Sequence, residues 1–72
     1  MTDLERSIHA QVTHMGSYQR GAMLRVASGR RGNKQTLASL ENRGWLTHDD
    51  YTNIQLTPEG HTAIRIIHEE YT

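Results

Sequence analysis

Residues 33–60 decide the fold of this chain, and they read NKQTLASLENRGWLTHDDYTNIQLTPEG. Asn33 is a typical N-cap and Gly44 is typical of the left-handed position that ends a helix, so the pattern predicts a helix over 34–43. Two short apolar runs on either side of a polar tip predict a β-hairpin after that helix. Thr57-Pro58-Glu59 then marks a new helix, because threonine caps, proline suits the first helical position and an acid suits the helix dipole.

The residues before this stretch predict two further helices. Leu4, Ile8, Val12 and Met15 recur at helical spacing and form one apolar stripe. A wide apolar face over 22–27 predicts a second, more central helix that stops at Gly29. The predicted elements are helices near 3–14, 18–28, 34–43 and 58–70, with strands near 45–48 and 53–57. The predicted core contains Ile8, Met23, Val26, Leu37, Leu40, Leu46, Ile54, Leu56, Ile64 and Ile67.

This order of elements resembles the recognition helix and wing of winged helix-turn-helix DNA-binding domains, broadly those of the MarR transcription regulators. The resemblance is carried by LENRGWL at 40–46 and LTPEG at 56–60. It implies an α+β fold in one domain over 1–72: a small winged helix-turn-helix with three helices, a two-stranded β-hairpin wing and a C-terminal helix. Two alignments are open, because the helix near 3–14 is either the family's first helix or an added arm.

Composition limits the function classes. A chain of 72 residues without cysteine has room for one modest core and for neither a disulfide nor a thiolate metal site. Its start does not resemble a signal peptide, and no apolar run approaches the roughly 20 residues of a membrane span, so we expect a cytoplasmic protein without a membrane partner. The five histidines lack the spacing of helical metal sites. We therefore expect no catalytic residues, no metal and no cofactor.

The charge is segregated along the chain although the net charge is zero. The segment 16–45 carries six cations and one acid, whereas the remainder carries two cations and seven acids. A field divided in this way can hold a polyanion on one face of a neutral molecule. Six cations can also simply solvate a surface, but the segregation together with its coincidence with the predicted recognition helix favours double-stranded DNA as the partner.

The predicted DNA contacts follow from the helical period and from the chemistry of the side chains. With Leu37 and Leu40 turned to the core, the opposite face of the helix is small and able to form hydrogen bonds. The predicted base contacts are Gln35, Ala38, Ser39 and Asn42. The predicted phosphate contacts are Arg25, Arg30, Arg31, Lys34, Thr36 and Arg43, with Arg30 and Arg31 in a glycine-flanked turn that suits a phosphate oxygen.

The hairpin tip and the last helix complicate this prediction. Asp49 and Asp50 at the tip would be repelled by phosphates, so we expect only Tyr51 and Asn53 of the wing to approach DNA. The acidic tip and zero net charge favour an alternative function: a winged-helix module that binds protein, for instance a phage-encoded or regulatory inhibitor of a host complex.

Ile66 lies on an otherwise polar face of the last helix and predicts a contact with the first helix or, in a homodimer, with another subunit.

Overall fold

The computed structural model describes residues 2–30 and 33–71. Its elements, in chain order, are α1 (Asp3–His14), α2 (Ser17–Ala27), α3 (Lys34–Asn42), β1 (Leu46–Asp49), β2 (Thr52–Leu56) and α4 (Pro58–Tyr71). The two strands form one antiparallel hairpin. The predicted α+β class is therefore confirmed, and the predicted bounds lie within about two residues of the observed ones. No helix in the described ranges is long and apolar enough to cross a membrane.

The first helix is part of the core. α1 packs lengthwise against α4, and the two helices run parallel: Arg65 pairs with Glu5 at 3.3 Å, and one turn further along Glu70 pairs with His9 at 2.6 Å. Ile8, Val12 and Met15 of the predicted stripe are buried, whereas Leu4 at its start is 57% exposed. The apolar stripe of this helix thus closes one side of the core.

The predicted core is confirmed at most positions. Seven of its members are buried, and three are partly buried against the same cluster: Ile54, Leu56 and Ile64. Trp45 is the largest buried side chain and is 1% exposed.

Ile66 is 4% exposed and belongs to this core, which corrects its prediction as a dimer contact. The physical reason is that α4 contacts α1, α2 and β2, so Ile66 is buried although His61, Arg65 and Glu69, its neighbours on a helical wheel, stay exposed.

A compact joint connects the end of α3 to the start of α4. Gly44 has a φ of 79°, and the N–H of Trp45 donates to the carbonyl of Leu40, which closes α3 in a Schellman arrangement. The Thr57 hydroxyl donates to the carbonyl of Gly44 at 2.6 Å and accepts from the N–H of Gly60 at 3.1 Å. The Thr57 side chain therefore links the residue that follows α3 to the cap of α4.

We predict that Thr57→Val lowers the free energy of unfolding by about 1–2 kcal/mol, because it removes both hydroxyl bonds at nearly constant volume. Thr57→Ser keeps the hydroxyl and is the matched control. Urea unfolding followed by the fluorescence of Trp45, the single tryptophan of the chain, measures the difference. Equal stability of the valine and serine variants would contradict the role of the hydroxyl.

Candidate nucleic-acid interface

α3 has one buried face and one accessible face. Leu37 and Leu40 are 2% and 1% exposed, as the helical period predicts. On the other side, Gln35 and Asn42 are exposed, while Ala38 and Ser39 are half-buried. The predicted base contacts therefore lie on a helix whose orientation is held by two anchored leucines.

The start of α3 is tied to the start of α2. The side-chain oxygen of Asn33 accepts the N–H of Thr36 at 2.7 Å, which is the N-cap bond that the sequence predicts. The side-chain amide of Asn33 donates in turn to the hydroxyl of Tyr18 at 3.2 Å. This second bond crosses between the two helices, so the cap also sets where α3 begins relative to α2.

A polar groove of about 340 Å³ lies between these two helix starts. Gln35, Thr36 and Ser39 line one wall, and Tyr18 and Gln19 of α2 line the other. Every one of these side chains can form hydrogen bonds. Tyr18 and Gln19 could not be predicted from the sequence as part of this groove, because no local pattern indicates where α3 crosses α2.

Three of the predicted phosphate contacts are exposed around α3: Arg25, Arg30 and Lys34. The guanidinium of Arg25 lies 5.7 Å from the ring centre of Tyr18, and the ammonium of Lys34 lies 5.2 Å from that of Tyr51. Thr36 is half-buried in the polar groove. Arg31, another predicted phosphate contact, falls outside the described residues.

Two cations of the basic segment, residues 16–45, make contacts within the fold. Arg20 donates to the carbonyls of Val12 and Met15 at the end of α1 and lies 4.2 Å over the ring of Tyr71. Arg43 donates to the side chain of Gln11 at 3.1 Å and lies 5.4 Å over the ring of Trp45. The half-buried Arg43 is thus committed to α1 and Trp45, which weakens its prediction as a phosphate contact.

The hairpin tip lies beside the end of α2. A cleft of about 220 Å³ separates them, and Arg30, Tyr51 and Asn53 all line it. The structure thereby brings together one predicted phosphate contact and both predicted wing contacts. Asp49 and Asp50 are exposed at the same tip, so the charge there is mixed.

The backbone of the tip is unusual. Asp50 and Tyr51 have φ values of 50° and 66°, the pattern of a type I′ turn, which normally favours asparagine and glycine. Asn53 follows at 51°, where the register of the strands places Asn53 and Ile54 opposite the single His48. This bulge bends the hairpin and turns its tip toward α2 and the start of α3.

Comparison of the chain with models of protein families, with curated protein sequences and with solved structures finds no match in any of the three. Within residues 2–30 and 33–71, no cluster of three histidine or carboxylate side chains is placed to hold a metal ion. The features that bear on function are therefore the accessible face of α3, the polar groove and the charges around them.

Proposed function

We propose that this chain is a small winged helix-turn-helix domain that binds double-stranded DNA sequence-specifically as a transcription regulator, with α3 in the major groove. The α+β architecture, with α2 and α3 followed by an antiparallel hairpin, supports the winged-helix reading. The accessible face of α3 supports the DNA reading most directly.

The chemistry of that face suits base edges. Glutamine and asparagine can each bond adenine in a bidentate manner, serine bonds several bases, and an alanine methyl can touch the methyl of thymine. Gln35, Ser39 and Asn42 are set on one side of a helix that Leu37 and Leu40 anchor. No bulky side chain among these positions would obstruct the approach of α3 to a groove.

The charges around α3 suit the DNA backbone. Arg25, Arg30 and Lys34 are all exposed and come from the end of α2, the turn after it and the start of α3. They surround the accessible face of α3 without belonging to it. Phosphate contacts of this kind set position and salt dependence, whereas the α3 face carries the sequence preference.

Titration of labelled duplex DNA at two salt concentrations tests the proposal. Arg30→Ala and Lys34→Ala should each weaken binding to all sequences and flatten the dependence of log K on log salt by about one unit. Arg6→Ala is the matched control, because Arg6 is an exposed arginine on α1, outside the basic segment. Gln35→Ala and Ser39→Ala should instead change the sequences selected from a random duplex pool, at about 1–3 kcal/mol per good contact.

The proposal is refuted if the unmodified chain binds no duplex even at low salt, or if Arg6→Ala weakens binding as much as Arg30→Ala.

A homodimer that presents two copies of α3 to a palindrome is part of the proposal. Because Ile66 is buried, such a dimer would use other residues. Sedimentation of the free chain and of its DNA complex measures the assembly.

The exposed carboxylates of Asp49 and Asp50 favour a second function, binding to a protein, for instance as an inhibitor of a regulatory complex. A basic surface on the partner would be complementary to this tip. If duplex DNA does not bind, the combined change of Asp49 and Asp50 to asparagine should weaken capture of a candidate partner, whereas Gln35→Ala should not. Equal capture by both variants would remove the tip from that interface.

A further inference from the structure

His48 occupies a confined position where β1, the hairpin tip and α3 meet. Its side chain is 11% exposed. Its ring stacks on that of Tyr51, with centroids 4.8 Å apart and planes 18° from parallel. Nδ1 accepts the backbone N–H of Tyr51 at 3.0 Å. Because the ring accepts at Nδ1, the neutral form must carry its proton on Nε2.

The other ring nitrogen faces Glu41 of α3. Nε2 lies 3.3 Å from a carboxylate oxygen of Glu41, which is within ion-pair distance. The contact lacks the directionality of a hydrogen bond, so Nε2 is buried without a hydrogen-bond partner among the described residues. His48 is thus bonded to the tip through Nδ1 and attracted to α3 through Nε2.

The tip depends on this histidine. Tyr51 has a φ of 66°, which is unfavourable for a residue with a large side chain. The stacking and the bond to Nδ1 are contacts that hold Tyr51 in this conformation. The same ring carries the ammonium of Lys34 at 5.2 Å, so the position of Tyr51 is linked to the start of α3.

We propose that His48 is a pH-responsive positioning residue that holds the hairpin tip when neutral and releases it when protonated. A proton from solvent would occupy the Nδ1 lone pair. Nδ1–H and the N–H of Tyr51 would then be two donors facing each other, and their hydrogen bond would be lost. The imidazolium keeps its attraction to Glu41, so the histidine stays against α3 while Tyr51 leaves.

Charged groups from the hairpin, α3 and the turn after α2 lie around the ring. Glu41 is the carboxylate at ion-pair distance, and Asp49 and Asp50 flank the histidine along the hairpin. Lys34 lies against Tyr51, and Arg30 shares a cleft with it. Histidine is the side chain that ordinarily changes charge between pH 5 and 8.

Two substitutions isolate the Nδ1 contact. The side-chain oxygen of asparagine can accept the Tyr51 N–H in place of Nδ1 and does not titrate, so His48→Asn should keep the tip closed at every pH. His48→Phe retains an aromatic ring without an acceptor, so it should resemble the protonated state at every pH.

Amide hydrogen exchange of the full chain, followed by NMR between pH 8 and pH 5.5, tests the proposal. After correction for intrinsic exchange, the protection of the Tyr51 amide should fall roughly two- to tenfold in the unmodified chain, as loss of one hydrogen bond implies. It should stay constant in His48→Asn. The proposal is overturned if His48→Asn shows the same pH dependence, or if the imidazole ¹⁵N shifts at pH 8 place the proton on Nδ1.

The effect of this switch on DNA affinity rests on the proposed function and is measured separately. The ratio of duplex affinity of the unmodified chain to that of His48→Asn should fall as the pH drops, because Tyr51 and Asn53 move away. The ratio cancels the effect of the other four histidines, which both proteins share. Amide release without any duplex binding would refute the DNA function and leave the switch standing. Duplex binding without amide release would refute the switch and leave the DNA function standing.

Discussion

Gly60→Ala is expected to destabilise the fold strongly, the largest effect that we predict for a single added methyl group. A Cβ at this position would lie 1.9 Å from the carbonyl oxygen of Trp45 and 3.0 Å from its carbonyl carbon. Both atoms are backbone, held by the bond from the Thr57 N–H to the same carbonyl. α4 would therefore have to move as a whole, at a cost of about 3 kcal/mol or more, which is a large share of the stability of a small domain. Urea unfolding followed by circular dichroism measures it.

Gly21→Ala is the matched control, since it also adds one methyl group inside a helix. The nearest atom to its Cβ is the flexible guanidinium of Arg25 at 3.5 Å, which is ordinary contact. The better helix propensity of alanine should raise the free energy of unfolding by about 0.5–1 kcal/mol. A loss of unfolding free energy in Gly60→Ala together with a gain in Gly21→Ala would support the close approach of α4 to Trp45. A stable Gly60→Ala variant would contradict it.

The helix ends could be predicted from the sequence because the signals that set them are local. Asn33 caps α3 through its own side chain, Gly44 supplies a positive φ, and Thr57 caps α4. Each of these acts within about four residues of its position. Gly60 shows the limit of such signals. The sequence shows Gly60 only as the end of the LTPEG pattern at 56–60. The packing of α4 on Trp45 explains why no side chain fits there.

The parts of the site that could not be predicted depend on contacts between distant segments. Arg20 and Arg43 look like free surface cations in a charge count, yet their partners lie on α1, α4 and the segment after α3. Tyr18 reaches the α3 cap only because the starts of α2 and α3 lie side by side. A helical wheel describes one helix against one assumed neighbour, and it fails for Ile66 because α4 has three.

His48 shows a similar limit on a smaller scale. The sequence offers five histidines with no reason to prefer one. Strand alternation places His48 on the same side of β1 as the buried Leu46, near Tyr51 and Glu41, and the bulge lies opposite it. The position of that bulge depends on Asn53 adopting a positive φ, a conformation that asparagine tolerates but does not require. The residue type was therefore compatible with the arrangement without predicting it.

Trp45→Ala is expected to lower the free energy of unfolding by about 3–5 kcal/mol, because the ring is 1% exposed and its removal leaves a cavity in the core. Trp45→Phe should recover most of this loss, since an aromatic ring still fills the space and remains under Arg43. Tyr18→Ala is the control for removing an aromatic ring, because Tyr18 is 63% exposed and its loss should cost about 1 kcal/mol or less. Thermal and urea unfolding followed by circular dichroism compare the three. If Trp45→Ala were as stable as Tyr18→Ala, the tryptophan would be a surface side chain and therefore a candidate binding anchor, and the joint between α3 and α4 would need another explanation.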